Sequence, residues 1–320
     1  MKVLFVHSGN SERYPVSPFL LSQAESLRAL GVEVGFFPVV GKGLGYLRNV
    51  KSLRWAIKAQ NPDVVHAHYA LCGWVAVLAR GGRPLVLSLM GDDAQGTFTG
   101  KDRRTMGSWF FVLLTLLVQP FVDAIIHKSK DLGKVVWRKR IGHLLPNGVR
   151  LDQFVQPSGD AKGALGFDRS KKHVLFLGDP SDPNKNIALV RDAVALLGRP
   201  DVVLHAAHGM DHDGAVAHMA AADVFTLCSF GEGSPNVIKE AMAMDCPIVT
   251  VPAGDAAWVV GETPGCYMAD HEVKDFAEKL TLALAFEGRT KGRERLVALG
   301  LDARAIAEKL LVIYQSVLNR

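Results

Sequence analysis

The chain has no cysteine pair at ligand spacing, no apolar run near the length of a membrane span, no short repeat and no low-complexity tract. Each absence excludes a class. The four cysteines, Cys72, Cys228, Cys246 and Cys266, form no CxxC, and three of them sit in or beside apolar segments. They read as reduced core thiols rather than a disulfide framework or a zinc site. A spanning helix needs about 20 apolar residues, and the apolar run Trp109–Val118 falls well short of that. The opening Met1-Lys-Val-Leu-Phe-Val leads straight into a strand, so no signal peptide is expected. The expected location is the cytoplasm.

What is present is material for two cores. The length of 320 residues suggests about two domains. Hydrophobic residues make up 48% and charged residues 22%, which is enough apolar mass to fill both. The net charge of +5 hides an asymmetry. Residues 1–150 carry 20 Lys and Arg against 9 Asp and Glu, a net of +11, whereas residues 151–320 carry 17 against 23, a net of −6. A basic half beside an acidic half implies an anionic partner for the first. No nucleic-acid-binding motif accompanies the charge. An anionic bilayer surface or a lipid-linked phosphate fits better, with peripheral attachment at the cytoplasmic face of the membrane.

Apolar runs of strand length alternate with helical patterns along the chain. Strands are expected at Lys2–His7, Val32–Val39, Asp63–His68, Pro84–Met90 and Ala124–His127, then at Lys172–Gly178 and Val202–Ala206. Near-continuous apolar strands belong to a parallel sheet covered on both faces. Helices are expected between them, including Ser17–Gly31, Arg103–Val122 and Asn186–Leu197. This alternation predicts α/β architecture, doubly wound with crossover connections. A turn at Asn147-Gly148-Val149 and the polar segment Gln156–Asp168 divide a first domain over 1–150 from a second over 151–302. The final helix, 303–318, is a candidate to cross back onto the first domain.

The densest signal runs from Ser229 to Pro247, SFGEGSPNVIKEAMAMDCP. Two carboxylates, Glu232 and Glu240, are separated by seven residues. An apolar strand precedes the stretch and Pro247–Pro252 forms another after it. Between them Pro235–Met244 reads as a helix, with Ser234 as N-cap and Pro235 at the first helical position. A glycine-flanked strand-to-helix turn aims backbone N–H groups outward, with the positive end of the helix dipole behind them. That is a phosphate site. Glu240, inside the helix, is placed to take both hydroxyls of a ribose, and Glu232, in the loop, to reach a sugar beyond the phosphates.

This stretch resembles the donor site of the retaining GT-B glycosyltransferases of family 4, the group 1 glycosyltransferases. Their hallmark, EG-x-P-N-V-x-x-EAMA, is followed by a small-residue turn, Pro and a valine-rich strand. The resemblance implies a GT-B fold, with two Rossmann-like doubly wound domains facing a central cleft. The first domain would bind the acceptor and the second a nucleotide-sugar donor. Ser234, Pro235 and Asn236 would cradle the phosphates, Glu240 would hold the ribose and Glu232 the sugar hydroxyls. The segment Gly178-Asp-Pro-Ser-Asp-Pro-Asn-Lys185 resembles the family's G-R-x5-K, whose Arg and Lys grip the diphosphate. Lys185 keeps the Lys place and would be the phosphate cation, but Asp179 replaces the Arg. Gly9, after the first strand, would let donor phosphates approach the backbone; otherwise it is a plain strand-to-loop glycine. Leu87–Asp93 resembles a segment ending H-G-x-D. Met90 stands in the His slot, and Asp93 either orients an acceptor or sugar hydroxyl or caps the next turn.

His66 and His68 alternate near a strand end and are expected to face one each way. One of them is a core histidine, and His68 is the candidate for the acceptor or sugar. Neither has the further ligands a metal site needs. Asp92-Asp93 is no DxD, GT-B transferases generally need no metal, and no cofactor is expected beyond the donor substrate. Trp109–Val118 is read as a core helix whose basic neighbours face an anionic membrane.

The resulting expectation is a metal-independent hexosyltransferase acting from a UDP- or GDP-sugar on a hydroxyl acceptor, a glycan or a lipid-linked molecule, in polysaccharide or glycolipid biosynthesis. Lys185 and Glu232 are its catalytic residues. Two rivals stay open. One is a sugar-nucleotide 2-epimerase on the same fold, and the other is a non-catalytic nucleotide-sugar-binding protein, for which Asp179 and Met90 argue.

Overall fold

The computed structural model describes all 320 residues, apart from the side chain of Leu44. Contacts divide the chain into two units. The first comprises residues 1–97, 105–148 and 303–320, and the second residues 98–104 and 149–302.

Strands β1 (Lys2–Ser8), β2 (Glu33–Val39), β3 (Val64–His68) and β4 (Leu85–Ser88) are followed by a short antiparallel hairpin, β5 (Phe98–Gly100) and β6 (Arg103–Arg104), and then by β7 (Ala124–His127) and β8 (Gly142–Leu144). The six strands outside the hairpin form the sheet of the first unit in the order β2-β1-β3-β4-β7-β8, with every pairing parallel. All five residues of β3 and all four of β4 are buried, as strands with helices on both faces require. Ser17 is extended and Pro18 starts the next helix, Pro18–Arg28. Gly31, at φ 78°, turns the chain back into β2 in a conformation that favours glycine.

The last helix, Ala303–Leu318, belongs to this first unit and packs on Pro18–Arg28. Its Tyr314 is fully buried, with the hydroxyl 2.6 Å from Nδ1 of His66.

Two expectations fail between residues 100 and 122. The helix expected over Arg103–Val122, with an interruption at Pro120, begins only at Ser108 and ends at Val118, before a short turn at Gln119–Phe121. The polar residues before it form the hairpin, which turns through Asp102 at φ 59°. The helix is also not wholly a core element. Trp109, Phe110, Leu113 and Leu117 are about half exposed, while Val112, Thr115 and Val118 are buried. Apolar residues all round the helix gave the sequence no way to mark which side faces out.

The second unit has β9 (Lys172–Leu177), β10 (Val202–Ala207), β11 (Val224–Leu227), β12 (Ile248–Thr250) and β13 (Cys266–Met268). These pair in the order β10-β9-β11-β12-β13, again all parallel. The hairpin β5-β6 packs in this unit against the turn Pro183–Lys185. All four cysteines are buried free thiols. Burial pushes the Cys246 thiol up to about 11 and that of Cys266 up to about 12.

Candidate functional site

In the second unit the loops leaving the carboxyl ends of β9 and β11 meet, which is where open α/β sheets bind ligands. Asn184 joins them. Its amide donates to Gly231 O at 2.9 Å and accepts from Gly231 N at 3.1 Å, and its backbone carbonyl accepts from Phe230 N at 2.9 Å. This clamp delivers Lys185 to Glu232, with Nζ 2.6 Å from the carboxylate. Two residues singled out from sequence therefore form one ion pair, more than two-thirds buried at each side chain. Gly231 has no room for a side chain, because an added Cβ would fall against the ring of Phe98 from the hairpin.

Asp179 does not face this pair. Its carboxylate accepts from the backbone N of Ser181 at 2.8 Å and from its hydroxyl at 2.7 Å, closing its own turn. These bonds hold the Asp179 carboxyl below the usual range.

The helix beyond is Asn236–Ala243, one residue later than the sequence reading at its start. Ser234 is not its N-cap. Pro235 takes the cap position at φ −65°, and having no N–H it contributes only this fixed angle to the turn. The Ser234 hydroxyl turns inward and donates to Asp255 at 2.7 Å. Lys239, 1% exposed, reaches the same hydroxyl at 2.5 Å and lies 3.2 Å from the Asp255 carboxylate. Gly254, at φ 61°, brings that chain segment so close to Glu232 and Gly233 that a Cβ would stand 2.8 Å from Glu232 O. Asn184, Lys239 and Asp255 are all absent from the sequence reading. The available signal was a lysine between Ile238 and Ala241 on an otherwise apolar helix face.

Glu240, next in sequence, points elsewhere. It is partly buried and shares no ion pair with Lys239. Burial pushes its carboxyl up to about 7, against the opposing pull of the Lys239 charge.

In the first unit the structure gives Gly9 and Asp93 partners within the fold and corrects the expected facing of the two histidines. Gly9 donates its N–H to Val39 O at 2.9 Å, and a Cβ there would stand 2.6 Å from Cβ of Pro38. The glycine is needed for packing against β2, and its N–H is already committed. Asp93 is fully buried and accepts from the backbone N–H groups of Ala70, Met90 and Gly91 at 2.9, 2.9 and 3.0 Å. These bonds brace the loops after β3 and β4. Burial pushes the Asp93 carboxyl up to about 6, with the three donors working the other way. His66 and His68 do not face one each way. Residues two apart share a face of a strand, and the two rings lie 4.1 Å apart, both buried. His66 bonds Tyr314 and Ser88. Neither ring nitrogen of His68 has a hydrogen-bond partner among the described residues. Burial first, then the neighbouring charges, hold it well below the ordinary histidine range.

His68 also lines a cavity of about 330 Å³ at the carboxyl ends of β1, β3 and β4, together with His7, Ser8, Tyr46, Tyr69 and Met90. A roomier cavity of about 520 Å³ in the second unit is lined by Lys162, Lys172, Asp223 and Arg289, at the amino ends of β9 and β11 and so away from the loop pair. Among the described residues no group of three His, Cys, Asp or Glu is placed to hold a metal ion, and no helix is long and apolar enough to cross a membrane.

Two doubly wound parallel sheets, one with a glycine-flanked carboxylate and lysine at its strand ends, define the class: a GT-B glycosyltransferase. Residues 5–153 match the family model of Glycosyltransferase Family 4, and residues 173–285 that of Glycosyl transferases group 1. The chain belongs to the group 1 glycosyltransferases and is GT4-like. It is 25% identical over 251 residues to TuaC of Bacillus subtilis, a glycosyltransferase assigned by its name to teichuronic acid biosynthesis. That alignment covers 69% of this chain, which spans about three fifths (61%) of the length of that relative. Two solved structures share the fold. Sucrose-phosphate synthase of Thermosynechococcus elongatus is 16% identical with a TM-score of 0.78, covering 99% of each chain. Anabaena HepE, solved with UDP and glucose, is 17% identical with a TM-score of 0.68, covering 99% of this chain and 98% of that one.

Proposed function

We propose that the protein transfers a hexosyl unit from a UDP- or GDP-sugar to a hydroxyl acceptor, with retention at the anomeric carbon and without a metal, in the assembly of a polysaccharide or glycolipid. The observation that carries this is the Lys185–Glu232 pair held at the loop that feeds the helix Asn236–Ala243. A departing diphosphate develops negative charge, and pre-aimed donors that oppose it lower the barrier. Lys185 supplies a charge there. The first turn of the helix supplies backbone N–H groups and the positive end of its dipole. Glu232, released from Lys185 by the arriving phosphates, accepts from hydroxyls of the transferred sugar. Glu240 accepts from the ribose. The support from relatives is the TuaC name for the polysaccharide and the HepE ligands for UDP.

The acceptor meets the first unit, with the cavity at His68 as its candidate subsite. That unit works at an anionic membrane surface. The support is the exposed Trp109, Phe110, Leu113 and Leu117, together with Trp137, whose indole donates to Leu116 O and so stands beside them. Exposed Lys130, Lys134, Lys139 and Arg140 flank Trp137 in sequence. An apolar face rimmed by cations suits a headgroup boundary.

The test is to incubate the protein with UDP- and GDP-hexoses, with and without glycan acceptors, and to follow release of the nucleoside diphosphate and the anomeric configuration of the product. A retained glycoside supports the reading. A C2-epimerised sugar without any acceptor product supports the epimerase, and binding without turnover supports the non-catalytic protein.

A further inference from the structure

We infer that Lys239 is a positioning residue for donor binding, acting through the hydroxyl of Ser234, which would turn from Asp255 toward an arriving donor diphosphate. This rests on the donor-site reading above. Three side chains from separate points of the chain converge in a nearly dry place directly behind the loop 232–235. Lys239 and Asp255 are 1% and 6% exposed, and Ser234 is 9% exposed. Lys239 Nζ donates to Ser234 Oγ at 2.5 Å, and Ser234 Oγ donates to Asp255 Oδ2 at 2.7 Å. The second carboxylate oxygen, Oδ1, is buried with no hydrogen-bond partner among the described residues.

A lysine is costly to bury, and one carboxylate with one bond from Nζ offsets that only in part. A merely structural role would be served as well by an apolar side chain in this helix face, between Ile238 and Met242. What the ammonium does that an apolar group cannot is to polarise the hydroxyl. An oxygen that accepts a charge-assisted bond becomes a stronger donor, and such chains strengthen one another in a low dielectric. Ser234 has a single proton, now directed at Asp255. When a diphosphate oxygen arrives, the hydroxyl rotates from Asp255 to the phosphate. Asp255 stays with Lys239, so no buried charge is left alone. The arrangement gives the site a second donor reinforced by a cation, in addition to Lys185, while the cation itself stays out of water.

The experiment is a calorimetric measurement of UDP, GDP and ADP binding to the full chain and its variants. Lys239→Met alone leaves Asp255 buried and unpaired and is prone to misfold. The informative variant is therefore Lys239→Met with Asp255→Asn, which removes both charges at similar volume. Ser234→Ala is expected to weaken nucleoside diphosphate binding roughly tenfold, about the loss of one charge-assisted bond. Ser234→Thr, which keeps a hydroxyl, is expected to retain binding. The Lys239→Met/Asp255→Asn protein is expected to show a loss similar to Ser234→Ala, and adding Ser234→Ala to it no further loss. Wild-type affinity in the folded double variant, or losses that simply add, would overturn the inference while leaving the donor site in place. If the wild type binds none of the three nucleotides, the donor-site reading fails and this inference with it.

Discussion

The ammonium of Lys185 lies 2.6 Å from a carboxylate oxygen of Glu232, although 47 residues separate them. On the proposed donor reading the pair competes with the donor, because phosphates reaching Lys185 would have to displace Glu232. Opposite effects follow from its two halves. Lys185→Ala is expected to lower kcat/KM at least about tenfold, on the scale of one lost transition-state contact. Glu232→Gln is expected to tighten nucleoside diphosphate binding, since it removes the competitor, and to slow transfer. Steady-state kinetics beside calorimetry on both variants checks the pair. Weaker nucleotide binding in Glu232→Gln would mean that the carboxylate does not compete.

Glu240 is expected to make both affinity and stability depend on pH. If it accepts from ribose hydroxyls, nucleotide affinity should rise as pH passes upward through about 7, where the carboxylate ionises. Glu240→Ala is expected to weaken binding by about one to two decades, the range of a charge-assisted hydrogen bond. For stability the sign is the reverse. A carboxyl whose folded pKa is raised contributes stability that is fully present below its unfolded pKa and is lost as pH rises through the folded one. That window runs from about 4.5 to about 7. Glu240→Gln should therefore be the more stable protein at pH 8, by on the order of 1–3 kcal/mol, with the difference closing by about pH 4. Thermal unfolding at both pH values measures this, and equal curves at pH 8 would remove the burial argument.

Asp93 should be a stability residue. Asp93→Ala leaves the N–H groups of Ala70, Met90 and Gly91 without their acceptor in a buried place. An expected loss of about 2–5 kcal/mol follows from about 1–3 kcal/mol for each unsatisfied group with partial relaxation. Asp93→Asn keeps an acceptor oxygen and should lose less. Denaturant midpoints rank the two. Donor KM in either folded variant should stay near the wild-type value, and a large change there would return Asp93 to the ligand.

Membrane docking should need both the apolar face and its cations. Vesicles of mixed phosphatidylglycerol and phosphatidylcholine should sediment the protein at low salt and release it as salt rises, because each cation near an anionic surface is worth about 1 kcal/mol and is screened within ~8 Å at physiological salt. Replacing Trp109 and Phe110 by Ser should weaken binding without changing its salt slope, and replacing Lys139 and Arg140 by Gln should flatten the slope. Equal recovery on neutral vesicles would assign the face to another partner.

Sequence alone determined the fold class and the loop proposed here to bind the donor. Near-continuous apolar strands alternating with helices admit few architectures other than covered parallel sheets, and Glu232 to Glu240 is a local pattern that can be matched without coordinates. It was local chemistry that was legible. Tertiary structure decided what depends on partners far away in the chain. Periodicity could not tell which side of Trp109–Val118 faces out, because every side of that helix is apolar. Nothing near Asp93 announces that three backbone groups from two loops converge on it, and the packing of Gly9 on Pro38 exists only once β1 and β2 are paired. Nothing in the sequence marks the buried pairing of Lys239, because Asp255, which shares its charge, is brought beside it only by the return of the chain through β12. A hydrogen bond or an ion pair between distant residues leaves no periodic trace in sequence, so the residues that hold this site in shape became visible only in three dimensions.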